Sequence, residues 1–207
     1  QKFQNKITIV GLPQKIHTNN LNYNIKNNKS ILNFLVFAGS QGSLDVLVLF
    51  ENIFKNLEKI INFKEIKFII QAPLTKHIEI ENLLKNKSCN YKIKSFFHNF
   101  DEILKLTDIA LCRSGAGTVN DLINYKIPAI IYPLPTAKDN HQYENAKILS
   151  DKKCALIVEK NKINYQEIML FIDKFLNDKN FKTELLENFS KIEIKNANEL
   201  MWNSINN

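Results

Sequence analysis

Glycine is scarce in this chain, with five in 207 residues, and there are only three cysteines, one tryptophan and one arginine, Arg113. Cys89, Cys112 and Cys154 lie far apart without a Cys-x-x-Cys pair, and the four histidines are equally dispersed. That spacing excludes a disulfide scaffold and a clustered metal centre, so no metal is expected. Each cysteine reads as a small buried hydrophobe in a reducing compartment. Long apolar runs are also missing: the longest, 31–38 and 127–134, have the length of a buried strand and fall far short of a membrane span. The opening residues, Gln-Lys-Phe-Gln-Asn-Lys, lack the apolar core of a secretory signal. Clustered arginines with interleaved aromatics are absent, so nucleic acid is not an expected partner. Lysine is abundant instead. The net charge of +7 favours an anionic partner, either a phosphorylated ligand or an anionic membrane surface.

Hydrophobic patterning alternates between two periods. The apolar run Ile31–Ala38 ends at Gly39-Ser-Gln-Gly42, and helical spacing follows from about Leu44 to Ile60, with Leu47, Phe50, Ile53, Phe54, Leu57 and Ile61 in phase. Ile66–Ala72 reads as a strand stopped by Pro73. A helix near Lys76–Leu84, a strand Tyr91–Phe96 and a short helix Glu102–Leu106 come next. Asp108–Cys112 is a fourth strand that ends at Arg113-Ser-Gly-Ala-Gly117, before a helix from about Thr118 to Tyr125. Pro128–Tyr132, His141–Ser150 and Ala155–Val158 continue the alternation, and everything after Tyr165 reads as helix. Strands joined through helices imply an α/β fold, a Rossmann-like parallel sheet with helices on both faces. One domain over residues 1–207 is expected, with 1–30 a hinge and polar entry and 165–207 carboxyl-terminal helices.

In such a sheet, ligands bind beyond the carboxyl ends of the strands. Gly39, Gly42, Gly115 and Gly117 all fall in two strand-to-helix turns. Glycine suits a turn where φ is positive or where the backbone approaches a ligand. Both turns open a helix whose first N–H groups attract phosphate, and Ser40 and Thr118 add hydroxyls. Either turn alone is equally a tight connection with an N-cap; two on one sheet point toward a diphosphate or nucleotide. Neither matches the dinucleotide fingerprint or a P-loop. Asp121, expected in the first turn of its helix, suits ribose hydroxyls or the helix dipole. Gln142 and Asn145 share a helix face. Their amides offer the donors and acceptors that sugar hydroxyls need, or else form a hydrated helix start.

Three segments in order carry a resemblance: Ala38-Gly-Ser-Gln-Gly-Ser43, Cys112-Arg-Ser-Gly-Ala-Gly-Thr-Val-Asn-Asp121, and Pro133-Leu-Pro with Asp139-Asn-His-Gln-Tyr-Glu-Asn145. Together they resemble the carboxyl-terminal half of the MurG family, UDP-N-acetylglucosamine (UDP-GlcNAc) transferases, from about Val10 to Lys160. The resemblance implies the carboxyl-terminal half of a GT-B glycosyltransferase, in which two Rossmann-like domains face across a cleft and this one binds UDP-GlcNAc. It places Ser40, with Gln41 and Gly42, at the donor's phosphate region and the Phe97 backbone at the uracil. Ser114, Gly115, Ala116, Gly117 and Thr118 follow the diphosphate, Asp121 takes the ribose, and His141, Gln142 and Asn145 stand at the sugar end. Three departures are visible. Asp121 is one methylene shorter than the family's usual Glu, and His141 stands where Gln is common. Lys15, in Gly11-Leu-Pro-Gln-Lys15, replaces an Arg and lacks its planar fork.

The implied reaction is inverting transfer of GlcNAc from UDP to the muramoyl C4 hydroxyl of undecaprenyl-pyrophosphoryl-MurNAc-pentapeptide, lipid I to lipid II. It belongs to peptidoglycan synthesis, cell shape and cell division, at the cytoplasmic face of the bacterial inner membrane. No cofactor is implied, because helix N-termini can take the diphosphate charge and no Asp-x-Asp motif is present. The family's amino-terminal acceptor domain, with its glycine-rich loop and histidine, is not in this chain. The catalytic residues are therefore expected there, and the lipid acceptor would reach this half through it. Truncation at the hinge and a stand-alone donor subunit both fit that pattern. Another UDP-sugar enzyme of the same architecture is the nearer alternative, and a basic, non-catalytic nucleic-acid or membrane-binding module the more distant one.

Overall fold

Largely apolar runs, and one alternating edge strand, become the strands of one sheet: β1 (Leu32–Phe37), β2 (Ile66–Gln71), β3 (Asn90–Lys94, the alternating one), β4 (Ile109–Cys112), β5 (Ala129–Ile131) and β6 (Ala155–Ile157). The computed structural model describes residues 31–38, 44–58, 62–87, 89–134, 140–193 and 197–206. All strand pairs are parallel, in the order β3-β2-β1-β4-β5-β6. The helices are α1 (Leu44–Leu57), α2 (Leu74–Lys85), α3 (Phe100–Leu106), α4 (Ala116–Asn124), α5 (His141–Ser150), α6 (Tyr165–Asn177), α7 (Lys179–Phe189) and α8 (Ala197–Asn206).

Strand order reverses between β1 and β4. Right-handed crossovers therefore place α1 and α2 on one face of the sheet and α3 to α5 on the other. On α1 the buried residues Val46, Leu47, Phe50, Ile53, Phe54 and Leu57 repeat at helical spacing and pack on the sheet. Ile168, Ile172 and Phe175 of α6 join the same core.

Phenylalanine dominates that core. Phe34 and Phe68 are register partners on β1 and β2, with ring centroids 5.8 Å apart. Phe50 meets Phe68 edge-on at 5.6 Å, and Phe54 stacks on Phe63 at 4.8 Å. Removing a ring such as Phe68 from this cluster costs about 3–5 kcal/mol. At the amino ends of the strands, Asp108 fixes β4 against β1. Its Oδ2 accepts from the Asn33 backbone N–H at 2.8 Å, its own N–H donates to the Asn33 carbonyl at 3.0 Å, and Asn33 Nδ2 donates to the Leu106 carbonyl.

The structure carries every element expected between 31 and 158, and helices follow Tyr165. α5 has the expected bounds, whereas α4 begins two residues early, at Ala116. The sheet and α1 to α7 form one compact unit that ends at Ile192; α8 belongs to a second unit.

Left-handed backbone falls on two lysines as well as on Asn140, the N-cap of α5. Lys126 and Lys153 have φ of 47° and 57° just beyond α4 and α5. At each end the next residue closes the helix: Ile127 N–H donates to the Leu122 carbonyl and Cys154 N–H to the Leu149 carbonyl. Glycine is the usual residue here because a Cβ in this conformation costs roughly 1–2 kcal/mol. Lys153 is exposed and holds only a 4.0 Å contact with Glu184. Lys153→Gly is therefore expected to stabilise the fold by about 1 kcal/mol, raising the melting temperature by roughly 2–4 °C. A thermal melt followed by circular dichroism checks it; an unchanged or lower midpoint contradicts it.

Candidate functional site

Phe37 and Cys112, the last residues of β1 and β4, are register partners. The chain therefore leaves the sheet twice at adjacent points, at the position where strand order reverses. This is where an open parallel sheet forms its crevice. The segment that follows β1, residues 39–43, lies outside the described residues, and with it Ser40, Gln41 and Gly42, as does Lys15. The β4 exit is Arg113-Ser114-Gly115, leading straight into α4.

The N-cap of α4 is Gly115, and no side chain caps the helix. Val119 N–H donates back to the Gly115 carbonyl, so the helical ladder begins there. The amides of Ala116, Gly117 and Thr118 precede it, at the positive end of the helix dipole. Gly115 has φ of −58°, so a left-handed turn is not what calls for glycine here. At Gly117 an added Cβ would meet nothing within 4 Å. Among the described residues nothing fills the space above this turn, as an approaching ligand requires. Because α4 starts at Ala116, Asp121 sits in the second turn rather than in the first, where the sequence had placed it.

Ser114 is fully buried and joins three segments. Its Oγ donates to the Gln142 carbonyl at 2.6 Å, and its own carbonyl accepts from Asn145 Nδ2 at 3.1 Å. Gln142 Oε1 accepts from the Leu134 backbone N–H at 2.9 Å. The two amides on α5 thus tie the β4 exit and the β5 exit to one helix start. His141, on the same turn, is exposed.

Beneath the turn lies a charge cluster that sequence reasoning missed. The Arg113 side chain is 6% exposed, 3.6 Å from Asp45 Oδ2 in the first turn of α1, with its guanidinium 5.2 Å from the centre of the Tyr132 ring. Lys160 approaches the same carboxylate oxygen at 3.6 Å. Burial pulls the Arg113 pKa below its ordinary value, with the Asp45 carboxylate opposing. Four segments meet in this cluster: the starts of α1 and α4 and the exits of β5 and β6. The one signal available was a lone arginine directly before Ser-Gly.

Phe97 is buried, three residues beyond the end of β3. It lines an open cleft of about 840 Å³ with Leu74, His77, Lys92, Phe96 and His98 among its walls.

A model of the glycosyltransferase family 28 C-terminal domain matches residues 33–201. The chain belongs to that family. A UDP-N-acetylglucosamine–N-acetylmuramyl-(pentapeptide) pyrophosphoryl-undecaprenol N-acetylglucosamine transferase from Rickettsia bellii is 35% identical over 165 residues, 79% of this chain and 45% of the relative. The Rickettsia felis enzyme of the same name is 34% identical over 188 residues, 88% of this chain and 50% of the relative. The chain thus spans about half the length of the curated relatives it matches. A crystal structure of Acinetobacter baumannii MurG has the same fold, with a TM-score of 0.74 at 19% identity over 87% of this chain and 51% of that one.

In this family 28 domain all three cysteines are buried, in surroundings that disfavour the thiolate. Burial raises all three thiols, Cys89 and Cys154 to about 11 and Cys112, directly below the α4 turn, further still. At pH 8 a thiol of pKa 11 is ionised on the order of one part in a thousand. Ellman's reagent should therefore react slowly with the native protein and quickly with three thiols after denaturation; one fast native thiol would contradict this.

The hydrogen bonds at Ser114 predict strong coupling. Asn145→Ala leaves a buried carbonyl without its donor and should cost about 1–3 kcal/mol, as should Ser114→Ala. In a double-mutant cycle read by urea unfolding, the pair should lose clearly less than the sum of the singles. Additive losses would show that the two bonds act independently.

Proposed function

We propose that this chain is the donor-binding half of an inverting N-acetylglucosaminyltransferase that uses UDP-GlcNAc. Its acceptor is undecaprenyl-pyrophosphoryl-MurNAc-pentapeptide, converted from lipid I to lipid II in peptidoglycan synthesis, and hence in cell growth and division. The observation that carries this reading is the start of α4: an uncapped helix N-terminus, open to its surroundings, at the sheet's switch point. The names of the Rickettsia relatives supply the donor sugar and the lipid-linked acceptor.

On this reading the amides of Ala116, Gly117 and Thr118 receive the diphosphate, together with Ser40, Gln41 and Gly42 of the other Gly-Ser motif. They stabilise the charge that grows on UDP as the glycosidic bond breaks, already oriented before the reaction. The positive charge of Arg113, held by Asp45 and Tyr132 behind Ser114, favours the same anion. Phe97 offers backbone groups to the uracil, and Asp121 reaches the ribose hydroxyls, bridged by water where its shorter side chain falls short. With Gln142 Oε1 taken by Leu134, the NH₂ end of that amide is left to donate to a sugar hydroxyl. Asn145 and Ser114 act by holding the turn, and His141 and Lys15 complete the sugar and hinge sides. The general base belongs to the acceptor half. No helix among the described residues is long and apolar enough to cross a membrane; the protein works as a peripheral partner of the anionic cytoplasmic leaflet.

Calorimetric titration tests the donor assignment. UDP-GlcNAc is expected to bind, with UDP-GalNAc and UDP-glucose weaker. Gln142→Glu keeps the oxygen that Leu134 needs and removes the sugar-facing donor. It should weaken UDP-GlcNAc about tenfold while leaving UDP unchanged. Absence of uridine nucleotide binding, or equal losses for UDP and UDP-GlcNAc, would overturn the assignment.

A further inference from the structure

Asp45 has more cationic charge around it than one carboxylate needs. It is the second residue of α1, so its charge lies at the positive end of that helix dipole and by itself opposes an anion arriving there. Two cations approach its Oδ2 at 3.6 Å, Arg113 from just beyond β4 and Lys160 from three residues beyond β6. One carboxylate and two cations leave one positive charge over, beside the starts of α1 and α4.

The two cations are not equivalent. The Arg113 side chain is buried, with its guanidinium over the Tyr132 ring, and the fold fixes its position. The Lys160 side chain is 54% exposed and Asp45 is 43% exposed, so their contact is a surface ion pair. Such pairs contribute little to stability and weaken with salt. Releasing Lys160 does not strand the carboxylate, because Arg113 stays beside it. An ammonium on a flexible four-carbon stem can turn to a second anion at small cost; a buried guanidinium cannot. The nearest charges in sequence are already matched, with Lys162 3.8 Å from Glu159.

We infer that Lys160 is a diphosphate-binding residue that exchanges Asp45 for the phosphates of the donor. The inference rests on the donor assignment above. It brings a side chain from beyond β6 into a site otherwise built from the segments that follow β1, β3, β4 and β5. As the glycosidic bond breaks, its electron pair passes to the departing UDP oxygen and negative charge grows on the diphosphate. Lys160 stays protonated and supplies charge alone, so its attraction strengthens as the bond lengthens. Asp45 then acts as the holding group that keeps the lysine next to the crevice.

Calorimetric titration of the full chain with UDP, uridine and inorganic pyrophosphate tests the exchange. Lys160→Gln should weaken UDP about tenfold and leave uridine, which carries no phosphate, unchanged. The loss should shrink as salt rises. Lys160→Arg keeps the charge and should stay within about threefold of native, and Lys162→Gln, two residues on, should bind UDP as the native chain does. Thermal melts of all three variants should coincide with the native one. Native UDP affinity in Lys160→Gln overturns the inference while the donor assignment stands. So does an equal loss in Lys162→Gln, or a loss shared by uridine. Pyrophosphate binding that Lys160→Gln weakens, with no binding of any uridine nucleotide, counts for the lysine and against the donor assignment. A native chain that binds neither UDP nor pyrophosphate overturns both.

Discussion

Everything in this fold depends on the pairing of β1 with β4. It is the single seam between the half of the sheet built outward through β2 and β3 and the half built through β5 and β6. Asp108 secures its amino end by engaging Asn33, and the Phe37–Cys112 pair closes its carboxyl end. Because the crossover direction reverses at this seam, two helix starts face the same crevice. A shift of one residue would turn Phe34 and Val36 away from the α1 face and pull apart the two exits that make the site. Register and function are therefore set by the same contacts.

The site combines an open surface with a rigid support. Among the described residues nothing crowds Gly117, while Ser114, three residues earlier, is wholly buried and bonded twice to α5. Arg113 adds a second support from below, reaching Asp45 at the start of α1. The two helix starts are thus linked by an ion pair that crosses the seam, and Lys160 brings β6 to the same carboxylate. Such preorganisation suits recognition of a diphosphate, since the amides are oriented before the ligand arrives.

Most of the fold was legible in the sequence, because strands buried on both faces must be apolar runs and the helices between them must be amphipathic. The start of α4 was misplaced by two residues: Ala116-Gly117 carries no start signal, and Gly115 caps without a side chain. Asp121 moved to the second turn as a result. Residues 114–118, 142 and 145 could be picked out as candidates from turn chemistry and motif order. The partners of Arg113 could not, since Asp45, Tyr132 and Lys160 lie on three other segments and meet only after the sheet has closed. Nor was the left-handed backbone at Lys126 and Lys153 visible, because glycine, its usual marker, is absent at both.

The sheet is unevenly built. β1 and β2 pair over five residues, whereas β4 with β5 and β5 with β6 pair over three. Local opening is easier where fewer ladder bonds must be given up, so on ladder length β5, β6 and the α5 between them open more readily than β1 and β2. Amide exchange should accordingly run fast there and slow through β1 and β2. The proposed donor site straddles that boundary, with one wall on the slow-opening half and the Gln142–Asn145 wall on the fast-opening one. A ligand that bridges the two would stiffen the weaker half, so that part of its binding energy would appear as order acquired in α5 rather than as contact at the diphosphate turn.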